Sequence, residues 1–133
     1  MRSAHDSDRG TSTAEVAIVL TVLMLTILAC MQVILLYFAR SVALAAAQEG
    51  VRASRAENAS RTAGAAVAER YAEQTAGGFL SGISASMKET GPDNVRVMVA
   101  GQSLSLVPFL ASIPVEEEAA GVIEEFNPPA RTR

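Results

Sequence analysis

Val16 to Ala39 is a run of 24 residues without a formal charge. As an α-helix rising about 1.5 Å per residue it reaches roughly 36 Å, enough to cross a hydrocarbon core of about 30 Å. Fourteen of the 24 are Leu, Ile, Val or Phe. At roughly −0.3 to −0.6 kcal/mol each these favour insertion by several kcal/mol, which outweighs Thr21, Thr26 and Gln32. A soluble helix this long and uniformly apolar would need a large core on all its sides, and the rest of the chain is too short to supply one. The pattern therefore predicts a transmembrane helix.

Beyond the run the periodicity changes. Ser41 to Ala53 is rich in Ala and free of Pro, so the helix is expected to continue, weakened at Gly50. Ser54-Arg55-Ala56-Glu57 has the form of a capping box and predicts a kink or restart before a second helix over Ala63 to Gln74, ended by Gly77-Gly78. The Ala-rich faces suit either a partner helix or an intramolecular face packed on a small sheet. Phe79, Leu80, Ile83 and Met87 are spaced for one face of a short helix or for a loop tucked onto the core. Gly91-Pro92-Asp93-Asn94 reads as a turn. Val95 to Val99 alternates as a half-buried strand, and Leu104-Ser105-Leu106 continues that period after an interruption at Gly101-Gln102. Val107-Pro108-Phe109-Leu110 is an apolar connection, either a core plug or an exposed contact. Val115, Ala119, Val122 or Ile123, and Phe126 fit a helical spacing that Gly121 interrupts, leaving helix and strand both open there. Asn127 to Arg133, with Pro128-Pro129, reads as a disordered tail.

Charge and chemistry narrow the function. With 11 Lys and Arg against 14 Asp and Glu, the net charge is −3 and the basic residues are scattered, which disfavours nucleic-acid binding. The single cysteine, Cys30, excludes an intrachain disulfide or a multi-cysteine zinc site, and it falls inside the apolar run. The single histidine, His5, lies in the polar N-terminal stretch, so no nucleophile–histidine pair or His-rich metal site can be assembled within one chain. Glu116-Glu117-Glu118 on a strand would point to alternate faces instead of converging on a cation, and reads better as a solvated edge that discourages strand addition. Asn58-Ala59-Ser60 fits a glycosylation sequon, a match frequent by chance. No enzyme activity, cofactor or metal is expected.

Three processing readings compete for the apolar run. A secretory signal cut near Ala45-Ala46-Ala47 would have far too long an apolar region. A lipoprotein signal ending at Cys30 meets a large Leu28 before it and a continuing apolar stretch after it. The third begins with the ten-residue polar segment ending in Gly10, followed by Thr11-Ser12-Thr13-Ala14-Glu15 and the apolar helix. This resembles a type IV pilin-like leader, with Glu at the fifth position after the cut. More narrowly, Asp8 to Glu15, the helix and Ala45 to Ala53 look like the TadE-type proteins of tight-adherence pilus systems, particularly their actinobacterial versions. The resemblance is clearest over Asp8 to Ala53, and beyond that it is one of layout.

The resemblance implies an α+β, pilin-like fold in which a long N-terminal transmembrane helix extends into a small Ala-rich helical and antiparallel β head. The corresponding segments are a leader over 1–10, a transmembrane helix over 11–40, an Ala-rich helical segment over 41–78, a small β-containing head over 79–126 and the tail over 127–133. The family layout assigns Val115 to Phe126 to a strand.

On the same resemblance, a prepilin peptidase would cut after Gly10, where a side chain would obstruct the approach to its catalytic carboxylates. The mature chain would start at Thr11, with Glu15 one helical turn from the new α-amino group, able to pair with it or with a neighbouring subunit. Ser12 to Glu15 is equally an S-x-x-E capping box. Implied partners are the peptidase, other Tad pilin-like subunits, the major pilin, the membrane assembly platform and the lipid bilayer. The expected location is the cytoplasmic membrane, single-pass, with the N-terminus inside and the C-terminal domain outside. Arg40, Arg52 and Arg55 after the span oppose that orientation on a simple Lys/Arg count, whereas a long C-terminal domain translocates largely regardless of its charge. The rival is an uncleaved, single-pass membrane-anchored adaptor that binds another envelope protein.

Overall fold

A computed structural model describes residues 7–56, 63–89, 94–107 and 111–122, with the backbone alone for 7–12 and Glu89. Its elements are α1 (Ser7–Ser54), α2 (Ala63–Thr75), β1 (Leu80–Glu89), β2 (Asn94–Ser103) and β3 (Ile113–Val122). The fold is α+β, as expected: a long apolar N-terminal helix, a short helix and a three-stranded antiparallel sheet in the order β1-β2-β3.

The 48 residues of α1 extend roughly 72 Å and divide into two parts. From Thr13 to Met31 its side chains are exposed apart from a half-buried Leu28. Val16 is 62% exposed and Leu25 59%, so this part is apolar without being packed on anything in the chain. It is long and apolar enough to cross a membrane. From Gln32 onward one face turns inward: Ala39, Ala43, Ala46, Val51 and Ser54 are buried at spacings of three to five residues, the stripe of a helix packed along one side.

The partners of that stripe are α2 and the sheet, which α1 covers over β2 and β3 while α2 covers β1. Gly50 meets Gly64 at one end of the helix pair and Phe38 meets Phe79 at the other, so the two helices run antiparallel. Only glycine allows the first crossing. A Cβ on Gly64 would lie 1.8 Å from Ser54 Oγ, and one on Gly50 would lie 2.7 Å from the Gly64 carbonyl oxygen and 2.9 Å from Ala68 Cβ. Ala68, Ala72 and Ala76 carry the close approach on along α2. The sheet contributes the larger core side chains, Val95, Val97, Val99 and Val115.

Several expectations are corrected. Leu80, Ile83 and Met87 belong to neither a short helix nor a tucked loop but to strand β1, whose helix-facing residues include Ala85. The helical spacing of the apolar positions misled because a bulge between Ser81 and Ser84, with Gly82 at φ 59°, inserts one extra residue and breaks the alternation of the strand. Strand β2 is not interrupted at Gly101-Gln102. It runs through them to Ser103, and Leu104 to Leu106 lie outside the ladder. Gly101 serves packing, since a Cβ there would stand 2.8 Å from Leu80 Cδ1. Ser54, which opens the expected capping box, lies at the end of the first helix with its hydroxyl against Gly64 in the first turn of the second. It is the last residue of α1 and donates its hydroxyl back to the Gly50 carbonyl at 2.9 Å. The strand assigned over Val115 to Phe126 is present as β3 up to Val122 and begins two residues earlier, at Ile113. His5, the sequon, the turn over Gly91 to Asp93, Pro108 to Leu110, Ile123 to Phe126 and the tail lie outside the described residues.

Candidate functional site

The residues expected to carry function, Gly10, Thr11 and Glu15, all fall at the N-terminal end of the exposed half of α1. At the N-terminal end, the backbone of Gly10 and Thr11 lies within the helix, three and four residues from its start at Ser7. Glu15 follows one turn along, exposed, and forms no salt bridge among the described residues. Because the helix already includes Ser12, the Ser12–Glu15 pattern is not a cap at the start of α1 in this chain. Between Glu15 and Gln32 the surface is a continuous sleeve of Leu, Val, Ile, Met and Ala interrupted by Thr21 and Thr26. Each of those two threonines donates its hydroxyl to the carbonyl four residues earlier, Ala17 and Val22, at 2.8 Å. Both hydroxyls are thus satisfied within the helix, which lowers their cost in lipid. Cys30 is exposed on the same sleeve.

At the other end stands a residue counted in the sequence only as a polar cost. Gln32 is 7% exposed and joins α1 to the connection that follows β2. Its Nε2 donates to the Leu104 carbonyl at 3.2 Å, and its Oε1 accepts from the Leu106 N–H at 3.0 Å. One amide side chain therefore takes the place of a neighbouring strand for two backbone groups. The available signal was a lone amide in the last third of an otherwise apolar run, since such residues in membrane helices are retained for specific contacts.

Above that point, Tyr37 and Phe38 precede Arg40, the first charge after the run. Arg40 Nε lies 3.9 Å from Glu117 Oε1, a partly exposed ion pair between α1 and β3. The acidic triplet is dispersed as expected of a strand. Glu117 faces α1, Glu118 pairs with Arg96 across the outer face, and Glu116 is exposed. Among the described residues no group of His, Cys, Asp and Glu could hold a metal ion.

Fold and site together define a small α+β head carried on a helix long and apolar enough to cross a membrane, with an acidic residue near its N-terminal end. Residues 10–52, from Gly10 to near the end of α1 and less than half of the chain, match the model of the TadE-like protein family. Comparison with curated proteins and with solved structures gave no match. A match to this family suggests involvement in Tad pilus assembly.

Proposed function

We propose that the protein is a non-enzymatic pilin-like subunit, a minor pilin or pseudopilin, that assists assembly of a tight-adherence type IV pilus from the cytoplasmic membrane. The observation that carries this reading is the family match, which begins at Gly10 and takes in Glu15 and the apolar helix. The chain inserts with its N-terminus inside and its head outside. The prepilin peptidase removes the leader after Gly10, so that Thr11 bears a new α-amino group. Four residues on, about 6 Å along the helix, Glu15 pairs with that amine or with the amine of a neighbouring subunit. Pairing offsets the cost of a carboxylate at the edge of lipid and sets the axial register between subunits. The apolar sleeve supplies lateral packing against other pilin-like helices and the assembly platform, where close contact and polar pairs must drive association because lipid is as apolar as the helices.

The deciding measurement is the intact mass and N-terminal sequence of the protein from its native membrane, beside a Gly10→Leu variant. The wild type is expected to start at Thr11, and the variant to keep its leader. A wild-type chain that begins at Met1 would replace this reading with the uncleaved adaptor. That alternative draws support from the helical backbone at Gly10–Thr11, because a peptidase needs its scissile segment unwound.

A further inference from the structure

We infer that the head does not stand clear of the bilayer: Leu104 to Leu106, directly after β2, and the turn before β1 enter the outer lipid interface beside α1, and Gln32 holds them there. This inference rests on α1 being a membrane span. The first observation is a cluster of exposed apolar side chains at one end of the head; a further one, Val122, is 54% exposed and lies at the far end, paired with Asn94. Phe79 is 37% exposed, and Leu104 and Leu106 are each 42% exposed. All three sit at one end, joined by the Leu104 N–H donating to the Phe79 carbonyl at 3.0 Å. Phe79 also packs edge-on against Phe38 of α1, with ring centroids 5.2 Å apart.

The second observation is depth. A hydrocarbon core of about 30 Å takes up roughly 20 helical residues. Counted from Val16, the first residue after Glu15, it ends near Leu35. Gln32, and with it the backbone of Leu104 and Leu106, then lies about 5 Å inside that boundary, and helix tilt would carry it deeper. Backbone at that depth is tolerated only if its polar groups find partners within the protein. The Leu104 N–H and carbonyl and the Leu106 N–H all do so, through Phe79 and Gln32.

The third observation is charge. The sequence carries no formal charge from Gln74 to Met87 or from Val97 to Val115, the stretches that contain these two turns. Arg52, Arg55 and Lys88 fall at the opposite end of the head, where α1 ends and β1 runs out, and the charge nearest the first of these turns is Glu73, exposed in the last turn of α2. A uniformly water-exposed head would not need that polarity, whereas one resting on lipid does.

The chain contains no Trp, so single Trp substitutions in the full-length protein report depth without background. Leu106→Trp, Leu104→Trp, Leu25→Trp within the span and Ala66→Trp on the far part of α2 would each be reconstituted in phosphatidylcholine–phosphatidylglycerol vesicles, with folding checked by circular dichroism. Quenching by lipids brominated near the headgroup or near the chain end is then compared with quenching by aqueous acrylamide. Trp at 106 and 104 is expected to lose most of its emission to the headgroup-proximal label, Trp at 25 to the chain-end label, and Trp at 66 to acrylamide alone. If Trp at 25 is quenched by lipid but 104 and 106 respond as 66 does, the head stands clear and the inference falls while the span remains. If 104 and 106 are shielded from both quenchers, a protein surface covers them and the inference falls. If Trp at 25 is untouched by lipid, the span reading fails and takes this inference with it.

Discussion

Gly50 shows how one residue can be read correctly for local conformation and still be misjudged. By propensity it weakens the helix by about 1 kcal/mol relative to Ala. In the fold it is one of two glycines that let α1 and α2 cross in backbone contact, and the steric cost of any side chain there exceeds that propensity term. Gly64→Val is therefore expected to destabilise the head by about 3 kcal/mol or more. Ala66→Val, exposed on the same helix, should stay within about 0.5 kcal/mol of wild type. Thermal unfolding of both variants in detergent micelles, followed by circular dichroism, compares them directly. Val97 is fully buried under both helices, and Val97→Ala should cost about 2–3 kcal/mol by the same assay, from lost transfer energy and the cavity left behind.

Among the elements, α1 was the most legible in the sequence, because 24 uncharged residues admit few other readings. Strand β2 was legible by alternation from Val95 to Val99. Strand β1 was not, since its bulge at Gly82 shifts the apolar positions into a spacing that also suits a helix. The tie between α1 and the β2–β3 connection was invisible in sequence, as it joins residues 72 and 74 positions apart. Gln32→Leu keeps the run apolar but leaves the Leu104 carbonyl and the Leu106 N–H without their partner. A local loss of about 2 kcal/mol is expected, seen as roughly thirtyfold faster amide exchange at Leu106. The Arg40–Glu117 pair crosses the same two layers but is long and partly exposed. Glu117→Gln should accordingly change stability by less than about 1 kcal/mol, with little dependence on salt beyond that.

For the whole molecule, the direction of each element follows from the antiparallel helix pair. Helix α2 returns towards the exposed half of α1, β1 leads away, β2 returns and β3 leads away again. The turns before β1 and after β2 therefore share the end nearest the apolar sleeve. A head on the outer side also requires translocation of everything after Arg40. A reporter enzyme active only outside the cytoplasm, fused after Arg133, is expected to be active; activity of a cytoplasm-only reporter at the same point would reverse the orientation.

Sequence alone determined what depends on composition over a stretch: a membrane-length helix, and a resemblance carried by Gly10, Thr11, Glu15 and the helix behind them. These are properties of neighbouring residues, and neighbouring residues are what a sequence records. Tertiary structure decided what depends on distance through space. It made Gly50 and Gly64 a crossing point, turned a bulged segment into an edge strand, and converted Gln32 from a polar burden into the partner of a connection more than seventy residues away. Each of these outcomes follows from which backbone groups and side chains come within a few ångströms of one another, and that is fixed only when helices and sheet close on a common core.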